Sequence, residues 1–318
     1  MLVFGPVPSR RLGRSLGINN IPPKHCSYSC LYCQVGPTKA TEIKPRKFYK
    51  PEDIVDAVVT HLEKLKAQNE TVDYLTFVPD GEPTLDAGLG KTIALLRSLN
   101  TKIAVITNAS LIWQPEVRAM LRMADRVSLK IDSVVASVWQ TINQPHEGLA
   151  LDSILSGMLT FAAEFTGTLT TETMLLEGIN TEQHAIERLT GFLQKLAPDK
   201  VYLAIPTRPT ADSSVRAAGA ETLNRIYQTV SQSRLAVELL TGYEGNAFTS
   251  TGDLVADLLA ITAVHPMRKD AVLKLLGQTG EEWSTVQQLL DRGELRETEY
   301  QGHYFYLRIG SDSCRQQR

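Results

Sequence analysis

Short apolar runs alternate with amphipathic stretches between residues 16 and 205, and this alternation constrains the fold more than any other feature. The first amphipathic stretch opens with Pro51 and runs through Ile54 to Leu65, as expected of a helix. Asn180, with Gln183 three residues on, has the spacing of a capping box and predicts another helix start. Strands alternating with helices predict a parallel sheet, either doubly wound or an incomplete barrel. The predicted strands are Leu16–Asn19, Val72–Val78, Lys102–Ile106, Arg126–Ile131, Thr168–Leu175 and Lys200–Ile205.

Polar residues follow several of these predicted strands. In both candidate architectures, ligands bind at the C-terminal ends of the strands. We therefore expect the functional side chains in four segments: Asp80-Gly81-Glu82-Pro83, Thr107-Asn108, Lys130-Ile131-Asp132 and Pro206-Thr207-Arg208-Pro209.

The pattern changes near Thr251, where three helical stretches and a hairpin follow one another. This order resembles a winged helix, so we predict two domains, residues 1–245 and residues 251–310. Residues 251–310 carry six basic and nine acidic side chains, and their net charge of −3 argues against a nucleic-acid-binding surface. The predicted elements are helices around Leu254–Leu259, Lys269–Leu276 and Glu282–Leu290, and strands Leu295–Thr298 and His303–Ile309.

The charge of the chain is unevenly distributed. Residues 1–50 carry a net charge of +8, although the whole chain of 318 residues carries −2. This asymmetry indicates an anionic cofactor, substrate or partner near the N-terminus, or simply a solvated basic face. The sequence contains no apolar run long enough for a membrane span or a secretory signal, so we expect a soluble, cytoplasmic protein.

Three of the four cysteines lie within eight residues, in the C-x₃-C-x₂-C run of Cys26, Cys30 and Cys33. Three thiolates on one short loop suit an iron–sulfur cluster with one iron left open. A zinc site completed by His25 or His61, or unrelated free thiols, are the alternatives. The fourth cysteine, Cys314, is expected to be an incidental surface thiol.

The cysteine run, with Tyr32 before its third cysteine, resembles the signature of the radical S-adenosylmethionine (SAM) superfamily. Residues 4–17 (FGPVPSRRLGRSLG) and 77–85 (FVPDGEPTL) resemble a narrower branch of iron–sulfur oxidoreductases related to the wyosine-forming tRNA enzymes. The resemblance implies a partial (β/α)₆ barrel and a [4Fe–4S] cluster on Cys26, Cys30 and Cys33. SAM would bind the open iron, and its reductive cleavage would yield a 5′-deoxyadenosyl radical that abstracts a substrate hydrogen.

Other predicted strand ends agree with SAM binding. The Glu82 carboxylate can accept hydrogen bonds from the SAM ammonium, and Asn108 can meet the adenosyl portion. Ser128, Lys130 and Asp132 alternate along one strand and therefore share a face. Lys130 can hold the SAM carboxylate and Asp132 or Ser128 the ribose, or Lys130 and Asp132 can form a purely structural pair. The remaining predicted cofactor contacts are Tyr32, Asp80 and Gly81; Asp80 stands where superfamily members often have glycine.

Arginines precede the first predicted strand at positions 10, 11 and 14. Guanidinium groups suit bidentate capture of carboxylate or phosphate. We predict that Arg10 or Arg11, joined by Arg208, holds an anionic group of the substrate. The alternative is that these arginines pair with acidic residues and tie the N-terminus down.

These observations predict a radical SAM enzyme that acts on an anionic small molecule or peptide and receives electrons from a flavodoxin or ferredoxin. An RNA-modifying enzyme of the wyosine type is a second hypothesis, which the lack of cysteines for a second cluster weakens. A DNA-binding iron–sulfur regulator is the third. The substrate itself does not follow from the sequence.

Overall fold

The fold is seen in a computed structural model that describes residues 1–242, 245–246 and 248–309. Cys314 lies outside the described residues. Within these ranges, no helix combines the length and the apolar character needed to cross a membrane.

A curled eight-stranded sheet forms the centre of the described chain. Strands β2 to β8 are parallel, and β1 pairs antiparallel with β2 at one edge. The strands follow one another in the order of the sequence, which is the order of a partial barrel. In a doubly wound sheet the strand order would reverse part-way through the sheet. The strands are β1 (Val3–Ser9), β2 (Gly13–Ile18), β3 (Tyr74–Phe77), β4 (Lys102–Thr107), β5 (Arg126–Lys130), β6 (Thr168–Met174), β7 (Lys200–Ala204) and β8 (Val237–Leu240).

Helices cover the outer face of this sheet. The helix predicted at Pro51 is present, with Glu52 and Asp53 in its first turn and Ile54 and Val58 buried. Its acids complement the helix dipole, and its apolar stripe faces the sheet. The helices are α1 (Pro51–Ala67), α2 (Leu89–Leu96), α3 (Pro115–Leu121), α4 (Ala136–Asn143), α5 (Leu151–Glu164), α6 (Gln183–Leu196) and α7 (Ala220–Ser231).

Strand β5 shows how the sheet separates its two faces. Val127 and Leu129 are fully buried in the apolar core between sheet and helices. Because successive side chains of a strand point to opposite faces, Ser128 and Lys130 point into the barrel interior. The interior is therefore the polar face of this strand, as the alternation in its sequence predicts.

Two local predictions are wrong. The predicted Leu16–Asn19 is not the first strand: Val3–Ser9 forms β1, and Arg10 and Arg11 lie in the β1–β2 turn. Asn180 does not cap α6, which begins at Gln183 without a side-chain cap. Its amide instead donates to the backbone carbonyls of Asp132 and Met174, at 2.9 and 2.8 Å, and so ties the ends of β5 and β6 together.

The C-terminal segment forms three helices and a three-stranded antiparallel sheet in the order β10-β11-β9. Its apolar core is separate from that of the barrel, and Phe4 of β1 packs against Ala260 and Val264 where the two meet. The division into residues 1–245 and 251–310 and the winged-helix-like classification stay predictions. The elements are α8 (Leu254–Val264), β9 (Met267–Arg268), α9 (Lys269–Thr279), α10 (Trp283–Asp291), β10 (Leu295–Tyr300) and β11 (His303–Arg308).

Candidate active site

A cavity of about 310 Å³ opens at the C-terminal ends of the parallel strands. The segments that follow β3, β7 and β8 line it, together with the cysteine loop, the β1–β2 turn and Val264 of α8. The cavity therefore lies where ligands bind in barrels of parallel strands. The predicted site residues that line it are Arg10, Arg11, Cys26, Cys30, Tyr32, Cys33, Asp80, Gly81, Lys130 and Arg208.

The three loop cysteines lie between β2 and α1. The backbone N–H of Cys33 donates to the carbonyl of Cys30 at 3.0 Å, which folds the run into a turn. The N–H of Glu82 donates to the carbonyl of His25 at 2.9 Å and attaches the loop to the end of β3. As a result, all three thiols line the same cavity.

The surroundings of the thiols suit negatively charged sulfur only when a cation is present. Burial raises the pKa of Cys26 well above its usual value, raises that of Cys30 to about 12, and raises that of Cys33. Opposing this, N–H groups of Tyr28, Asn143 and Val35 point at the three sulfurs and lower their pKa values. A metal centre deprotonates coordinating thiols outright, so this donor set fits an iron–sulfur cluster.

The histidines proposed for a zinc site have other partners. His25 Nδ1 contacts the Glu42 carboxylate, and His61 Nε2 lies 2.7 Å from the carbonyl oxygen of Gly5. Among the described residues, no three Cys, His, Asp or Glu side chains converge on a single metal-ion position.

Glu82 does not line the cavity. Its buried carboxylate accepts hydrogen bonds from the Thr84 hydroxyl at 2.6 Å, the Thr107 hydroxyl at 2.6 Å and the Asn108 N–H at 2.7 Å. Burial raises the pKa of Glu82, and these donors oppose the increase. The carboxylate therefore joins the ends of β3 and β4, and it is the preceding Asp80 and Gly81 that line the cavity.

Asp80 is linked to the cysteine loop through Lys24. The Lys24 N–H donates to the Asp80 carbonyl at 2.7 Å, and Lys24 Nζ lies 3.4 Å from Asp80 Oδ1. Burial raises the pKa of Asp80, whereas the Lys24 charge lowers it. The acid that departs from the superfamily pattern thus has a cationic partner.

Lys130 is the centre of a charged network inside the barrel. Its Nζ lies 3.0 Å from Glu172 Oε1, 3.6 Å from Asp132 Oδ1 and 4.8 Å from the centre of the Tyr32 ring. Arg11 also pairs with Glu172, and the Tyr32 hydroxyl donates to Asp132. Burial raises the pKa of Glu172, but the charges of Arg11 and Lys130 outweigh it and lower that pKa to about 2.

The three residues predicted to share a face of β5 have different surroundings. Lys130 lines the main cavity, whereas Ser128 lines a small pocket beneath it, beside Arg11 and Thr170. Asp132, whose side chain is fully buried, accepts the backbone N–H of Met174 at 2.8 Å. The predicted Lys130–Asp132 pair is present, and its use by a ligand stays a prediction.

The arginines predicted to hold substrate converge from distant parts of the chain. Arg10 donates to the carbonyl of Gly242, just after β8. Arg208 Nη2 lies 2.9 Å from His265 Nε2, and burial together with the Arg208 charge lowers the pKa of His265 well below its usual value. His265 therefore stays neutral and accepts the Arg208 N–H.

Sequence reasoning missed several residues of this site. Asn143 at the end of α4, Gln34 and His265 all contact predicted site residues. Nothing in the local sequence distinguishes Asn143 or His265, because each acquires its partner through a long-range contact, whereas Gln34 directly follows Cys33. Lys24 had one usable signal, its position two residues before Cys26.

Comparison with known proteins identifies the family. Residues 20–189 match the sequence pattern of the radical SAM superfamily. A UPF0026 protein of Methanocaldococcus jannaschii is 44% identical over 309 residues, which cover 96% of both chains. The chain belongs to the radical SAM superfamily. Within that superfamily it is a member of the UPF0026 family; another member, from Synechocystis, is 37% identical over 65% of this chain and 76% of its own.

Solved structures of radical SAM proteins share the fold. A radical SAM methyltransferase from Sphaerobacter thermophilus superposes with a TM-score of 0.57 and 15% identity, covering 71% of this chain and 66% of that one. A structure of TYW1 with a lysine–pyruvate adduct superposes with a TM-score of 0.53 and 14% identity, covering 69% and 73%. The partial-barrel prediction is confirmed. This radical SAM protein is thus an enzyme of a class that uses a [4Fe–4S] cluster and SAM.

Proposed function

We propose that Cys26, Cys30 and Cys33 hold the [4Fe–4S] cluster of this radical SAM enzyme. Support comes from three half-buried thiols that line one cavity and each receive N–H donors. When bound, cluster and SAM supply a 5′-deoxyadenosyl radical by one-electron reductive cleavage of SAM. A flavodoxin or ferredoxin is the proposed electron donor.

We assign SAM to the part of the cavity between the cysteine loop and the ends of β3 to β5. Tyr32, Asp80, Gly81 and Lys130 line that part and offer an aromatic face, backbone polar groups and a cation. Glu82 and Asn108 lie behind the lining and fix the strand ends on which these contacts depend. The predicted SAM contacts also include Ser128 and Asp132. Asp132 fixes two of the lining side chains, since it pairs with Lys130 and accepts the Tyr32 hydroxyl.

The substrate we propose is an anionic small molecule or peptide. The observation that carries this proposal is the charge of the cavity wall. Five cationic side chains line it, against the two carboxylates of Asp80 and Glu172. Surplus positive charge in a partly closed cavity favours an anionic ligand. The cationic lining residues are Arg10, Arg11, Lys24, Lys130 and Arg208.

The RNA-modifying alternative rests on the basic N-terminal segment. Part of that charge has acidic partners elsewhere in the protein, since Arg14 pairs with Glu70, Arg11 pairs with Glu172, and Lys24 lies 3.4 Å from Asp80. A phosphate backbone is bound through many accessible lysines and arginines, so this pairing disfavours the RNA hypothesis. The net charge of residues 251–310 disfavours the DNA-binding regulator in the same way.

The experiment uses anaerobically reconstituted, dithionite-reduced protein and measures 5′-deoxyadenosine formed from SAM. Metabolites, peptides and RNA from cell extract are separated by charge on an anion-exchange column, and each fraction is added in turn. We expect an anionic metabolite or peptide fraction to stimulate 5′-deoxyadenosine formation above the uncoupled rate. The Arg10→Gln variant should lose this stimulation. Stimulation by RNA or by neutral fractions alone would contradict the proposed substrate class. Absence of SAM cleavage in wild-type protein would contradict the proposed cluster site.

A further inference from the structure

Two asparagine side chains lie against two of the cysteine sulfurs. Asn108 Nδ2 is 3.6 Å from Cys26 Sγ, and Asn143 Nδ2 is 3.4 Å from Cys30 Sγ. Both contacts have hydrogen-bonding geometry for a sulfur acceptor. Neither residue is near the cysteines in sequence, so the fold brings these donors to the sulfurs.

The amide of Asn143 is fixed by a carboxylate. Asn143 is buried, and its Nδ2 donates to Asp132 Oδ2 at 2.8 Å. Because an ionised carboxylate only accepts hydrogen bonds, Asp132 requires the nitrogen of the amide, not its oxygen, on this side. Asp132 is itself held by the Met174 N–H and by Lys130. The second hydrogen of Asn143 Nδ2 is thereby directed at Cys30.

The amide of Asn108 is fixed from its other end. Its Oδ1 accepts the backbone N–H of Ser110 at 2.9 Å, so its nitrogen must point the opposite way. That nitrogen donates to Ser27 Oγ at 2.9 Å and faces Cys26 Sγ. The backbone N–H of Asn108 is anchored on Glu82 at 2.7 Å. Both amides thus have one orientation, which presents N–H to sulfur.

We propose that Asn108 and Asn143 are positioning residues that raise the reduction potential of the cluster. The inference rests on the proposed ligation by Cys26, Cys30 and Cys33. A reduced cluster carries one more negative charge, part of it on the thiolate sulfurs, so an N–H group pointing at a sulfur stabilises the reduced state more than the oxidised state. Hydrogen bonds to the sulfurs are among the factors that set iron–sulfur potentials.

Redox titration of the reconstituted cluster, followed by electron paramagnetic resonance, tests the proposal. Asn143→Leu keeps the size of the side chain and removes its donor, and we expect a midpoint potential more negative than wild type. Asn108→Leu likewise removes the donor without adding a charge, and we expect a shift of the same sign. The matched control is Asn20→Leu, which disrupts an equally buried amide bonded to Pro83 and Asp86 but not to a cysteine.

A second measurement detects the asparagine–cluster contacts directly. In protein labelled with ¹⁵N-asparagine, pulsed magnetic resonance of the reduced cluster should detect ¹⁵N couplings, and Asn143→Leu should remove part of them. Three results would overturn the role of the asparagines while leaving the cluster site intact. They are wild-type potentials in both variants, a shift of the same size in Asn20→Leu, and the absence of ¹⁵N coupling. Wild-type protein that forms no [4Fe–4S] cluster would instead overturn the proposed function, and this inference with it.

Discussion

Replacing Glu82 by alanine should mainly destabilise the fold. The carboxylate accepts four hydrogen bonds, from the N–H and hydroxyl of Thr84, the hydroxyl of Thr107 and the N–H of Asn108, over 2.6–3.0 Å. It is 1% exposed, so water does not readily take its place. Alanine leaves buried donors unpaired, and hydrogen bonds to a charged group contribute about 1.5–3 kcal/mol each without being additive. We expect the free energy of unfolding to fall by about 3–5 kcal/mol.

Glu82→Gln should have a smaller effect, for a reason visible in the geometry. Oε1 accepts three of the four bonds, and an amide oxygen can keep them. The amide nitrogen then replaces Oε2 and faces the Asn108 N–H, donor against donor, at a cost of about 1–3 kcal/mol. The predicted order of stability is therefore wild type, Glu82→Gln and Glu82→Ala.

Urea unfolding of the cluster-free protein under reducing conditions, followed by circular dichroism, gives these free energies. Glu164→Ala, which removes an exposed ion pair with Arg122, is the control and should cost less than about 1 kcal/mol. Calorimetric titration of the cluster-loaded protein with SAM measures the separate prediction that Glu82 binds the ammonium. An unfolding free energy for Glu82→Ala within about 0.5 kcal/mol of wild type, combined with a tenfold or greater loss of SAM affinity, would refute the structural role argued here.

Three further predictions concern the cavity. Alanine at Cys26, Cys30 or Cys33 should abolish the reconstituted cluster, whereas Cys314→Ala should leave the iron content unchanged; lost iron in the latter would show that the fourth cysteine is misassigned. Glu172 has a pKa lowered from 4.5 to about 2, so its stabilisation is complete above about pH 4.5 and is lost as the pH falls toward 2. As the pH is lowered over that range, the wild-type free energy of unfolding should therefore fall by about 3 kcal/mol more than that of Glu172→Gln. If acid unfolding shows the same pH dependence for both proteins, the pairing of Glu172 is contradicted. Arg10→Gln should keep stability and uncoupled SAM cleavage while losing substrate-stimulated turnover; a large fall in melting temperature would instead make Arg10 structural.

Much of the barrel could be predicted from sequence because its strands are apolar runs with polar ends. The six predicted strands overlap β2 to β7. Strand β1 was missed because Gly5, Pro6 and Pro8 interrupt its pattern, and proline is tolerated in an edge strand such as this one. Strand β8, Val237–Leu240, was not predicted; it is short, and Glu238 interrupts its apolar run.

The candidate site could be predicted only where one short segment carries the chemistry. The three cysteines and Asp80-Gly81 are such segments, and they line the cavity as a group. The surroundings of Glu82 were not predictable, because Thr107 and Asn108 belong to a neighbouring strand end. Asn143 follows no recognisable strand-end signal, since it comes from a helix and reaches Cys30 across the fold.

The cationic side chains of the cavity differ in the contacts that each would lose on binding an anion. Lys130 contacts Glu172 and Asp132, and Arg11 contacts Glu172, so an anion bound by either must compete with a buried carboxylate. Breaking a buried ion pair offsets much of the gain from a new one. The described contact of Arg10 is with a neutral carbonyl, that of Gly242, and can be exchanged for an anion at lower cost. Of these three cations, Arg10 is therefore the one that an anionic substrate should recruit at the lowest cost, while Arg11 and Lys130 set the shape and charge of the wall behind it.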